Sequence, residues 1–226
     1  MQARAAVYPA HVVGPYPAAN GAIVHVRPIA AADANRIADF VGSLSSETRY
    51  LRFMAAVKEL SAETIERFTR IDHRRDAALV ALANNSGPDR VVGVARYALD
   101  VDGEACEFAI VASDDWRRRG LGRCLLERLI DIASTRGVKR IVGEVLAVNG
   151  PMLDFVKELG FDVAPSAEDP TIRGVERRLY GDLHAACLIR RLGRIPNDVS
   201  APELLHRWEP RQEPGDAQQI SAAART

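Results

Sequence analysis

DDWRRRGLGRCLLERL, residues 114–129, sets three consecutive arginines, Arg117, Arg118 and Arg119, against two glycines one residue apart, Gly120 and Gly122, and runs directly into an apolar helical pattern. Adjacent arginines repel one another, and Gly-x-Gly weakens a helix, so a helix that starts with both is organised around something anionic. A strand ending at Ala112, a short connection and a helix opening at Gly120 would aim several free backbone N–H groups and the positive end of the helix dipole at one point. Phosphates suit that point. Glycines at 120 and 122 let the backbone approach an anion without a Cβ in the way, and the second also permits close helix packing. The side chain of Arg117, with one of Arg118 or Arg119, can add charge-assisted bonds.

Outward from this turn, the preceding region reads as an antiparallel meander. AALVALA (77–83), RVVGVARYAL (90–99) and EACEFAIVA (104–112) are strands separated by Asn-Asn-Ser-Gly-Pro and Asp-Val-Asp-Gly turns. Upstream, AIVHVR (22–27) alternates as a strand that Pro28 ends, and a helix is expected over 32–41. Ser45 or Ser46 and then Ser61 can cap two further short helices. Downstream, the helix over 120–136 carries Leu121, Leu125, Leu129, Ile132 and Ala133 as an apolar stripe and stops at Gly137. KRIVGEVLAV (139–148) is too continuously apolar for an exposed edge and reads as a buried strand. A helix over 151–159, ended by Gly160, leads to strands near 161–164 and 175–179. The fold class is α/β: a mixed, mostly antiparallel sheet of six to seven strands with helices on both faces.

The domain is expected over 22–180, after an N-terminal extension (1–21). A C-terminal helical appendage (181–208) follows, with a helix over 182–192 and a capping-box start at Ser200 with Glu203. The Gln/Pro/Ala/Asp-rich residues 209–226 read as a disordered tail. Lys plus Arg and Asp plus Glu both number 30, so no whole-molecule field draws in nucleic acid or an anionic membrane, and the arginine cluster must act locally. It also lacks the interleaved aromatics of a nucleic-acid patch. Cys106, Cys124 and Cys187 are widely spaced, with no Cys-x-x-Cys pair, and read as buried apolar residues in a reduced compartment; no metal site is expected. Three prolines interrupt the first 20 residues and no apolar run reaches membrane-spanning length, which points to a soluble, cytoplasmic protein.

Two familiar phosphate loops fail. The Walker pattern is absent, and a dinucleotide fingerprint would need a third glycine where Leu125 stands. What is left is Arg117-x-x-Gly120-x-Gly122 between a strand and an amphipathic helix, then a buried strand, Asn149 and Gly160-Phe161. In this motif and element order the chain resembles the GCN5-related N-acetyltransferase (GNAT) family over about residues 22–179. Within that family, EFAIVASDDWRRRGLGRCLLERLI is most similar to the acetyltransferase domain of bacterial protein lysine acetyltransferases.

The resemblance implies acetyl-CoA as co-substrate, its pyrophosphate on the turn formed by Arg118, Arg119, Gly120, Leu121, Gly122 and Arg123. Its pantetheine arm would run beside Ile110, Val111 and Ala112 in the manner of an added strand, which requires strands 104–112 and 139–148 to splay. Asn149 would either contact that arm or cap the following helix. An ammonium must lose a proton before it can attack a thioester. Strand alternation sets Glu107 with Ala109 and Val111, small apolar neighbours that raise its pKa, and the family's base is a glutamate on this strand. Glu144 is the second choice for base or for binding the substrate amine. The family's thiolate-protonating tyrosine position, four residues before Gly-Phe, is Val156 here. Asp72, His73 and Asp76 read as a solvated turn, and Trp116 as packing under the loop.

The expected function is acetyl-CoA-dependent transfer to a primary amine, a protein lysine ahead of a small-molecule amine, by direct transfer in a ternary complex; a homodimer is left open. The rival reading is a non-catalytic acetyl-CoA-binding regulatory or interaction module.

Overall fold

The computed structural model describes residues 8–84 and 89–179. The helices expected over 182–192 and from Ser200, the tail after 208, and Cys187 lie outside the described residues.

Among the described residues, eight strands form one sheet: β1 (Gly14–Pro17), β2 (Ile23–Pro28), β3 (Ala77–Ala83), β4 (Arg90–Leu99), β5 (Ala105–Ala112), β6 (Arg140–Leu146), β7 (Asp162–Pro165) and β8 (Ile172–Arg178), in the order β1-β2-β3-β4-β5-β6-β8-β7. Every neighbouring pair is antiparallel except β5 and β6, which are parallel. Among the described residues, five α-helices cover it: α1 (Ala34–Ser43), α2 (Ser46–Phe53), α3 (Ala62–Thr69), α4 (Leu121–Thr135) and α5 (Gly150–Glu158).

The strand count exceeds the expected six to seven because residues ahead of 22 join the sheet. β1 pairs with β2 from Gly14↔Val26 to Pro17↔Ile23, and Tyr8, Val12 and Ala18 are buried in the main core. Gly-Pro-Tyr-Pro does not read as a strand, since each proline lacks a ladder donor; it is tolerated here because β1 is the sheet edge. The segment set apart as an extension thus contributes to the fold from residue 8 onward.

The central strand explains the layering. β3, Ala-Ala-Leu-Val-Ala-Leu-Ala, is buried along its whole length. Ala77, Leu79, Ala81 and Ala83 point into a core shared with α4 and α5, while Ala78, Val80 and Leu82 meet Ile37, Phe40 and Val41 of α1 on the opposite face. Helix α4 lies tight on β4 because Gly93 has no side chain; a Cβ there would stand 2.9 Å from Leu125 Cδ1. That approach places the N-terminus of α4 at the end of β5. The serine caps form as the sequence suggests: Ser45 and Ser61 Oγ accept from Thr48 and Thr64 N at 3.1 and 3.2 Å.

One buried carboxylate organises the entry to α1. Asp33 accepts two bonds from Arg27 (2.7 and 2.6 Å) and one from Ala30 N (2.9 Å). Burial alone would raise its pKa, but the Arg27 pair and the backbone bond outweigh it and hold the carboxyl below its ordinary range. The stability it contributes is therefore present above the unfolded pKa of about 3.9 and lost as pH falls through the lower folded value. Asp33→Asn is expected to cost about 2–3 kcal/mol at pH 7, less than a fully buried pair because Arg27 is one-third exposed. Thermal melts from pH 7 to pH 2 check this: the gap between wild type and variant should close at the acid end.

Candidate functional site

The parallel strands β5 and β6 pair over three positions only, Ala105↔Arg140, Cys106↔Ile141 and Glu107↔Val142. Beyond them β5 continues along β4 to Ala112, while β6 follows β8 to Leu146, so the sheet opens into a V. The side chain at the vertex is Phe108, buried against Gly143, where an added Cβ would fall 2.8 Å from the ring, and 5.3 Å from the Phe161 ring. The ring fills the space that glycine leaves. Gly143→Val is accordingly expected to overpack the vertex and lower stability by about 1–3 kcal/mol; a denaturation midpoint equal to wild type would remove Phe108 from this role. The β5 edge from 108 to 112 faces the gap with no strand partner among the described residues, and an extended chain rich in amides could pair there.

At the end of β5 the chain passes through a single 3-10 turn (Asp114–Trp116) and then alternates conformations. Arg118 (φ 58°) and Gly120 (φ 79°) are both left-handed. This alternation at the start of α4 turns successive N–H groups toward a common point, the geometry of an anion nest. Gly120 is required twice over: its φ disfavours a Cβ, and a Cβ would collide with the hydroxyl of Tyr16 from β1. At Gly122 the packing reason weakens. An added Cβ would make ordinary contact with Phe155, at 3.9 Å, so the bare backbone there serves the cleft rather than helix packing.

The arginines divide their work. Arg117 lines the cleft, but its guanidinium is engaged by Asp114 (3.0 Å) and by the hydroxyl of Thr48. Asp114 also accepts from Ser45 N at 2.9 Å, which pins α2 to the turn. Arg119 lies over the buried Trp116 ring at 5.2 Å and does not line the cleft. Arg123 pairs with Glu158 at 2.7 Å and with Glu127 at 3.5 Å. Arg118 alone of the three consecutive arginines has no protein partner for its guanidinium among the described residues, and it lines the cleft. Leu121 is a core side chain, 1% exposed, and offers the site only its backbone.

The V and the nest are two ends of one cleft of about 1350 Å³, which also receives α2, α3 and the start of α5. Glu107, the last residue of β5 paired with β6, stands at its vertex, and Glu144 lies two residues past the point where β6 departs. Glu107 is exposed to solvent through the cleft, whose walls surround it in part. That partial burial, with the Glu144 charge adding to it and Arg52 partly offsetting it, raises the Glu107 carboxyl above its ordinary pKa. Ile110, Val111, Ala112 and Asn149 line the same cleft; Asn149 caps α5, its Oδ1 accepting from Met152 N at 3.3 Å.

Val156 is wholly buried in the core and does not line the cleft; the α5 residues that line it are Pro151, Met152, Phe155 and Glu158. The phenol lining the cleft, among the described residues, is Tyr50 of α2. His73 is taken up by Tyr8, whose hydroxyl lies 2.7 Å from Nδ1. Cys106 and Cys124 are buried, and burial pushes their thiols up to about 12 and about 11. No group of three His, Cys, Asp or Glu side chains among the described residues is arranged to hold a metal ion, and no described helix is long and apolar enough to cross a membrane.

Sequence reasoning missed Tyr16, Arg52 and Arg96. For Arg96 a signal existed: a lone charge in the middle of RVVGVARYAL. Tyr16 and Arg52 offered none, because each reaches the site only through folding.

Comparison with known proteins agrees with this geometry. Residues 44–161 match the model of the Acetyltransferase (GNAT) family. Acetyltransferase PA5475 of Pseudomonas aeruginosa is 34% identical over 152 residues, covering 67% of this chain and 82% of that protein. The [Ribosomal protein bS18]-alanine N-acetyltransferase of Salmonella typhimurium is 41% identical over 90 residues, 39% of this chain and 60% of its own length. Among solved structures, the GNAT domain of S. lividans PAT superposes with a TM-score of 0.69 at 30% identity, covering 76% of this chain and all of that one. With its splayed strands, its glycine turn and these relatives, the chain belongs to the GNAT family and is an N-acetyltransferase.

Proposed function

We propose that the protein transfers an acetyl group from acetyl-CoA directly to a primary amine, with a protein lysine as the acceptor. The single observation that carries the reading is the continuous cleft running from the nest at Arg118 and Gly120, along the unpaired β5 edge, to Glu107 at the vertex. Its parts fit the donor in order: backbone N–H groups for a pyrophosphate, a free strand edge for an amide-bearing arm, and a carboxylate where the acyl end would emerge. Acetyl-CoA supplies the thioester. The amine nitrogen forms the new C–N bond, the C–S bond breaks, and the thiolate leaves.

Glu107 takes the proton that the acceptor ammonium must shed, directly or through water, and Glu144 adds negative charge that draws the ammonium in. The raised pKa of Glu107 makes it a stronger base than an ordinary carboxylate. A protein acceptor is supported by the resemblance to the domains of protein lysine acetyltransferases and by a relative named for acting on an alanine of a ribosomal protein. Incubation of the purified chain with radiolabelled acetyl-CoA and a panel of cell proteins, lysine peptides and small amines tests both halves. Label in protein, stable to hydroxylamine and mapping to lysine, is the expected result; label confined to small amines would overturn the acceptor assignment, and none in any acceptor would overturn the catalytic reading.

A further inference from the structure

Beside Glu107 the cleft holds two positive charges that the proposed chemistry does not use. Arg96 of β4 and Arg52 of α2 line both the cleft and a small apolar recess behind it formed with α1 and α3. Antiparallel pairing sets Ala98 opposite Glu107 and Arg96 opposite Ala109, so Arg96 is a diagonal neighbour of Glu107 on the same face of the sheet, roughly 7–8 Å away at the backbone.

Neither arginine belongs to an ion pair among the described residues, and Nη1 of Arg96 is buried with no hydrogen-bond partner. The nearby carboxyl of Asp76 favours the Arg96 charge only from a distance and accepts a bond from the Leu99 backbone. Both guanidinium groups instead rest on aromatic faces, Arg96 over Phe68 at 4.6 Å and Arg52 over Phe53 at 5.0 Å. Burial pulls the Arg52 pKa down to about 10, with the Arg96 charge adding to the effect.

Burying an arginine without a partner is costly, and an apolar residue of similar size would relieve that cost. Ring stacking holds each guanidinium plane while leaving its N–H edge free, which is how a carboxylate is received in a two-bond fork. We propose that Arg96 and Arg52 form a carboxylate-binding subsite next to the acyl-transfer centre. The acceptor is then an amine with a carboxylate close to it in space, such as a lysine side chain with an acidic residue beside it. Glu107 and Glu144 receive its ammonium end and the arginines its carboxylate. This assignment rests on the cleft being the acceptor site, but carboxylate binding itself can be tested without turnover.

The test uses the full chain. Melting temperature is measured against glutarate and against the matched uncharged diol without acetyl-CoA, for wild type, Arg96→Met and Arg52→Met. Then kcat/KM is measured for paired lysine peptides with Glu or Gln beside the lysine, and for glutaryl-CoA against butyryl-CoA. Glutarate should raise the wild-type melting temperature in a way the diol does not, and both variants should lose that shift. The Glu-to-Gln ratio of kcat/KM should fall roughly ten- to a hundredfold in the variants, as for a lost charge-assisted pair. Arg96→Met should also melt higher than wild type in the absence of ligand, an outcome that a merely structural arginine would not produce.

If the ratio that collapses is instead that of the two acyl donors, the carboxylate subsite stands and its ligand belongs to the acyl group. No glutarate shift together with variant ratios equal to wild type would overturn the subsite. A glutarate shift lost in the variants of a protein inactive toward every acceptor would overturn the transfer reading and leave the subsite standing. Should Arg96→Met fail to fold, Arg52→Met carries the same comparison.

Discussion

Replacing Gly120 by glutamate is expected to abolish acetyl-CoA binding. The substitution acts in three ways at once. It places a Cβ at φ 79°, a region that costs an L-residue about 1–2 kcal/mol. It drives that Cβ into the Tyr16 hydroxyl, forcing either the turn or β1 to move. It also sets a negative charge where the N–H groups of the nest and the N-terminus of α4 favour an anion. Isothermal titration calorimetry should show no measurable heat of binding in a variant whose circular dichroism matches wild type; retained affinity would remove the pyrophosphate assignment. Gly120→Ala separates the causes, since it keeps the backbone and collision terms without the charge. Combining it with Tyr16→Phe removes the colliding oxygen and should recover part of the lost affinity.

The second large effect is expected at Glu107. Glu107→Gln should leave acetyl-CoA affinity near wild type and cut turnover by roughly 10² to 10⁴, the usual contribution of a general base. The sign of the pH dependence follows from the environment. A base works only when deprotonated, so activity is present above the Glu107 pKa and lost as pH falls through it. Partial burial and the Glu144 charge raise that pKa, so the acid limb of kcat/KM should lie above the ordinary carboxylate range. The variant should lose this limb and follow the ionisation of the acceptor amine alone, with its deficit greatest at low pH, where free amine is scarce. Near wild-type turnover from pH 6 to pH 9 would shift the role to Glu144 or to solvent.

Much of this fold was legible from local chemistry. The strands 77–83 and 90–99 carry their own boundaries because Asn-Asn-Ser-Gly-Pro and Asp-Val-Asp-Gly cannot continue a ladder, and the helix caps at Ser45, Ser61 and Asn149 are short-range hydrogen bonds. β1 was not legible: a proline-rich tetrapeptide has no strand propensity, and only its position at the edge of the sheet makes it one.

The site divides along the same line. By itself the sequence determined the glycine turn at the head of α4, because Arg-x-x-Gly-x-Gly before an amphipathic stripe is contiguous and its conformational demands are local. It likewise determined which β5 residues share a face with Glu107, since side chains alternate along any strand. Tertiary structure alone decided where the sheet opens, since that depends on Phe108 settling against Gly143, a residue 35 positions away in the chain. It alone decided that Arg117 does not stay free, because Thr48 of a distant helix captures its guanidinium. And it alone brought Tyr16 against Gly120 and carried Arg52 and Arg96 to the cleft, where long-range packing, not local propensity, fixes what a side chain meets.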